Sequence, residues 1–180
     1  MTDLYSIHTI DSAPAASKPL LKKAQDNFGM IPNFHAVIAE APAALEAYMM
    51  LHELFSQTSF SSTEQHIVWM TINTENDCHY CIPAHVMLAT VGNVDNDIIT
   101  AVRNKKALSD PKLETLRKFT ISVVQNRGHV DELTIHEFHN AGYTKQNVLE
   151  VILCLSQKVL SNYSNHITHV PVDDAFKKFI

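Results

Sequence analysis

No stretch of this 180-residue chain alternates apolar and polar residues long enough to make a strand. Apolar residues return every three or four positions instead, the spacing of one helix face. Only four glycines are present (Gly29, Gly92, Gly128 and Gly142), too few for a fold of many tight β-turns or for a glycine-rich nucleotide loop. The fold class this dictates is all-α.

Capping residues punctuate the periodic segments. Residues 17–28 put Leu20, Leu21, Ala24 and Phe28 on one face, and Gly29 offers a left-handed cap. Ile31-Pro32-Asn33 interrupts and restarts the helix. Pro42 sits just inside another start, followed by Leu45, Met49, Leu51, Leu54 and Phe55. Ser61-Ser62-Thr63-Glu64 caps a run carrying Ile67, Met70 and Thr71. A helix is expected from about Cys78 to Gly92, and a shorter one over residues 95–105. Asp110-Pro111 opens a segment with Leu113, Leu116, Phe119, Thr120, Val123 and Val124 inward, ended by Gly128. Asp131 caps a short helix closed by Gly142. Thr144 opens the longest, with Val148, Val151, Ile152, Leu155, Val159 and Tyr163 expected to face the core. No linker, repeat or low-complexity tract divides the chain, which reads as one domain over residues 1–180.

Hydrophobic residues make up 46% and charged residues 18%, the balance of a globular chain, and the net charge of -5 offers no basic stripe to nucleic acid. The opening residues 1–12 lack the basic segment and apolar run of a secretory signal, and no apolar stretch has the length of a membrane span. Three cysteines are too few for a secreted disulfide scaffold. The expected location is the cytoplasm.

In that setting the segment Cys78-His79-Tyr80-Cys81-Ile82-Pro83-Ala84-His85 stands out. On a helix His85 leans back over Cys81, four positions earlier. Pro83 is best tolerated in a first turn, so the cysteines belong near a helix N-terminus. There the helix dipole and a nearby imidazole favour thiolate over thiol. A thiolate attacks peroxides and disulfides, and a second thiol resolves the product as a disulfide. The same residues with His66 and His79 could instead ligate zinc, although no second CxxC or HxxxH follows. Cys154, within an apolar run, reads as an inert core thiol.

The block Glu64-Gln65-His66-Ile67-Val68, Asn76-Asp77-Cys78-His79-Tyr80-Cys81 and Ala84-His85 resembles the alkylhydroperoxidase D and carboxymuconolactone decarboxylase family. Met30-Ile31-Pro32-Asn33-Phe34, Ala41-Pro42-Ala43-Ala44-Leu45, Ala141-Gly142-Tyr143-Thr144 and Asn162-Tyr163-Ser164-Asn165-His166 are similar to its peroxidase-like branch. The resemblance implies a helical fold assembled as a homotrimer or homohexamer, with no cofactor and no metal. It implies a hydroperoxide substrate and a dithiol reductant. It makes Cys81 the peroxidatic cysteine, Cys78 the resolving one and His85 part of a proton relay; the dipole argument alone does not choose between the cysteines. Where the family's peroxidases carry a glutamate, twelve residues before the first cysteine, this chain has His66. A histidine can pass protons but lacks the negative charge that would orient His85. Glu75 is a candidate replacement. Two other readings are a lactone decarboxylase with His66 and His85 as acid and base, and a non-catalytic redox sensor. Among the remaining histidines, His166 and His169 suit the end of the last helix, His136 and His139 the surface, and His79 and Tyr80 flank the thiols. Trp69 and Met70 read as core or interface.

Overall fold

The computed structural model describes residues 5–180; residues 1–4, part of the segment read above for a leader, lie outside the described residues. Among the described residues, nine α-helices are connected by short loops and no strand occurs. They are α1 Lys18–Phe28, α2 Asn33–Ile38, α3 Pro42–Ser56, α4 Ser62–Glu75, α5 Cys81–Val91, α6 Asn96–Arg103, α7 Pro111–Gln125, α8 Glu132–Asn140 and α9 Lys145–Thr168. The punctuation in the sequence accounts for most boundaries. Gly29 takes φ 70° and returns its N–H to the Gln25 carbonyl. Ser61 and Glu64 form a reciprocal capping box, as do Thr144 and Asn147. Asp110 and Asp131 accept first-turn amides of α7 and α8.

Helix α4 is the axis of the molecule. It packs on α7, α5, α6 and α9, and every side chain from His66 to Thr74 is buried. A helix covered on all sides needs no single apolar stripe. One core gathers Phe55, Ile67, Val68, Ile72, Leu116, Phe119 and Phe138 around it. A second joins Leu21, Phe34, Val37 and Leu45 from α1–α3 to Tyr80, Cys81 and the C-terminal Val170 and Phe176. The CxxC therefore sits where the N-terminal helices meet the rest.

Helix α9 departs from the expectation drawn from its periodicity. Its buried face carries Asn147, Glu150, Gln157, Lys158, Ser161, Asn162 and Asn165 beside Val151 and Cys154, whereas Ile152 and Tyr163 face outward with Leu149 and Ile167. The expected apolar stripe is rotated from the core by about one residue, 100° of helix. Pairing makes this tolerable: Asn162 bonds Asn73 at 2.9 Å, Gln157 accepts from Trp69 at 2.8 Å, and Glu150 accepts from the Ser59 amide at 3.0 Å.

Candidate functional site

Asp77 at φ 48° turns the chain sharply between α4 and α5, and α5 begins at the second cysteine, so Pro83 lies in its first turn. The Cys81 amide, one of the unpaired donors of a helix start, points at Cys78 Sγ at 3.2 Å. The two residues between the cysteines tether the C-terminal segment. His79 Nε2 meets the Val170 carbonyl at 2.9 Å, and the Tyr80 hydroxyl donates to Asp173 while accepting from the Phe34 amide.

The cysteines are not equivalent. Cys81 and His85 line a cavity of about 590 Å³ bounded by α1–α3, α5, α9 and the C-terminal segment; Cys78 does not reach it. Asn165 Nδ2 donates to Cys81 Sγ at 3.4 Å, and Ser161 Oγ stands 4.0 Å away. Burial raises the Cys81 pKa, but the hydrogen bond from Cys78, the charge of Lys158 and the Asn162 and Ser161 side chains outweigh it, and the thiol falls to about 7. Cys78 is pushed strongly upward, by its hydrogen bond to Cys81, by burial and by the thiolate's charge. Cys81 is thus the more acidic thiol of the pair and Cys78 the less acidic one. Cys154 is buried and likewise pushed upward, mainly by burial.

Lys158 is the residue that sequence reasoning missed. It projects from the polar face of α9, is fully buried, and donates to His85 Nε2 at 2.7 Å. Burial draws its pKa down, and the neighbouring cysteines, Cys81 first, oppose that shift. His85 is held well below its usual range by burial first and then by the Lys158 charge, so its ring is neutral. A neutral ring accepting at Nε2 carries its proton on Nδ1. The one available signal was the spacing of Lys158 with Cys154, Ser161, Asn162 and Asn165, which places them on one helical face.

His66 is not brought to the thiols. Its ring lies 5.5 Å from Trp69, which in turn lies 5.5 Å from His85, and its Nε2 occupies space that a Cβ on Gly92 would need. It does not line the cavity; His35 and His52 do. Glu64 serves its capping box and accepts from Tyr143, and Glu75 accepts from Gln125 at the surface. His166 is exposed, as is His136. Among the described residues, no three His, Cys, Asp or Glu side chains cluster in a way that could hold a metal ion.

No protein-family model matches the chain, and no curated protein does. Solved structures do. A peroxidase-related protein from Ralstonia eutropha JMP134, described as an alkylhydroperoxidase AhpD core, superposes with a TM-score of 0.85 at 19% identity, over 96% of this chain and 93% of that one. This chain has the alkylhydroperoxidase D-like fold. A peroxidase-related protein from Silicibacter sp. TM1040 gives a TM-score of 0.82 at 14% identity, over 98% of this chain and 95% of its own. The debrominase Bmp8, in a complex with 2,3,4-tribromopyrrole, gives 0.83 at 15% identity, over 99% of this chain and 96% of its own. No helix among the described residues is long and apolar enough to cross a membrane.

Proposed function

We propose that this protein is a thiol-dependent oxidoreductase that reduces organic hydroperoxides with the Cys78–Cys81 pair. The observation that carries the reading is the asymmetry of the cysteines: the cavity-facing one is the thiolate, and its neighbour keeps a proton. The Cys81 thiolate attacks the terminal peroxide oxygen, the O–O bond breaks, and the alkoxide leaves. Lys158 supplies the alkoxide's proton, because neutral His85 is its hydrogen-bond acceptor and not a second acid. The Cys81 sulfenic acid then condenses with Cys78, forming the disulfide and releasing water. A dithiol reductant returns two electrons and two protons. Acid–base work by His66 at this cavity, as the lactone decarboxylase reading requires, finds no support, because His66 does not line it.

The similarity to a debrominase supports a second reading with the same pair. The Cys81 thiolate would take the halogen of an electron-rich halogenated ring as a sulfenyl halide. The ring carbon would gain a proton, and Cys78 would displace halide to close the disulfide. A homo-oligomer belongs to the proposal as well, because Leu149, Ile152, Tyr163 and Ile167 form an outward apolar stripe on α9.

Cumene hydroperoxide and a brominated pyrrole, each supplied with dithiothreitol, test the chemistry. Turnover is expected with the unaltered protein and not with Cys81→Ser. Cys78→Ser should stop at a sulfenic acid trapped by dimedone. Equal turnover in Cys81→Ser and the unaltered protein would refute both readings.

A further inference from the structure

The cavity offers hydrogen-bonding groups that the protein itself does not use. Lys158 Nζ can make three hydrogen bonds and has one protein partner, His85. His85 Nδ1 and His35 Nδ1 are buried with no partner among the described residues, on residues only 4% and 7% exposed. All three residues line the same cavity. The ring of Tyr48 connects them, 5.9 Å from Lys158 Nζ and 5.4 Å from the His35 ring.

Charge is unbalanced in the same place. Among the described residues, the one carboxylate lining the cavity is Glu53, which is 60% exposed and held by Lys23 at 3.3 Å, and Lys158 has no carboxylate partner. Unpaired buried donors are costly, and a buried cation more so. The walls beside them are apolar, from Phe34, Met49 and Phe176. A volume near 590 Å³ lies within the range of sites for organic ligands and far exceeds what hydrogen peroxide fills.

We infer that this cavity binds an apolar organic acid in its anionic form, with the carboxylate on Lys158 and the hydrocarbon body against Phe34, Met49 and Phe176. The inference rests on the proposed thiol chemistry only in making such an acid the body of the substrate or its product; binding itself requires no turnover.

Calorimetry with 2-naphthoate and neutral 2-naphthamide on the reduced protein tests it. The acid should bind at least about tenfold more tightly than the amide, as for a charge-assisted bond in a buried site. In Lys158→Met the two affinities should come within about threefold, as that bond is lost. A second measurement needs no substitution: saturating naphthoate should suppress iodoacetamide labelling of Cys81, and naphthamide at the same concentration should not. Equal affinities in the unaltered protein, no binding of either probe, a preference that survives Lys158→Met, or undiminished labelling would each overturn the inference. Cumene hydroperoxide turnover on the same preparation separates the two proposals. Naphthoate preference without turnover would sink the peroxidase reading alone, and turnover without the preference would sink this one alone.

Discussion

Replacing Lys158 by methionine removes the lysine charge that lowers the Cys81 pKa while keeping similar volume and an apolar stem. The thiolate now titrates at about 7 because that charge and its hydrogen bonds overcome burial. In Lys158→Met only uncharged donors, Cys78 first, oppose burial, so the midpoint should rise; a rise of about two units would bring it to the ordinary thiol value. At pH 7 the thiolate fraction then falls from about one half to about one in a hundred, roughly fiftyfold. A more basic thiolate is also more nucleophilic, and a Brønsted slope of about 0.4–0.5 over two units returns some six- to tenfold. Iodoacetamide labelling of the Cys81 peptide at pH 7, followed by mass spectrometry, should therefore slow by about five- to eightfold. Above pH 10 the order should reverse, the variant reacting about six- to tenfold faster. A labelling midpoint that stays near 7 in the variant would refute the contribution of the Lys158 charge to the thiolate. The variant should still fold, since the removal of a buried charge offsets the loss of the bond to His85 Nε2.

The other expectations concern stability. His35 is held to about 3 in the folded state against 6.5 unfolded, chiefly by burial, so the unfolded chain binds more protons below pH 6.5. Its contribution is present above that pH and lost as pH falls toward 3: urea denaturation should show His35→Phe losing about 2 kcal/mol less than the unaltered protein between pH 7 and pH 5. An Ala at Gly92 would place its Cβ 2.9 Å from His66 Nε2, so Gly92→Ala should cost about 1 kcal/mol. A double-mutant cycle with His66→Ala should recover most of that cost, and additive effects would show that the contact is absent. Asn162→Ala strands the Asn73 carbonyl oxygen and the Asn76 amide, and should lower the unfolding free energy by about 2–3 kcal/mol in the same assay.

What was legible in the sequence was local. The caps at Ser61, Asp110, Asp131 and Thr144 act within three residues of themselves, and the left-handed Gly29 needs no tertiary contact, so these signals survive folding unchanged. Cys81 and His85 are one helical turn apart and share the cavity for the same reason. Lys158 and His85, by contrast, stand 73 positions apart, and nothing near Lys158 announces its partner. The face of α9 was misread because hydropathy scores a polar side chain alone, while the structure scores it with its partner. His66 shows the converse limit: position along the chain marks it for the site, but its side chain packs on Trp69 and does not line the cavity.

The inward polar face of α9 also fixes how that helix can sit. An apolar stripe tolerates small rotations, because one methyl group substitutes for another. A ladder of particular pairs does not: turning α9 by one residue would separate Asn162 from Asn73, Gln157 from Trp69 and Lys158 from His85 at once. Each break leaves a buried polar group with nothing to bond, so neighbouring registers lie well above the native one in energy. The side chains far from the cavity thereby act as an indexing device. They determine, to within a single residue, where along α5 the lysine ammonium is delivered.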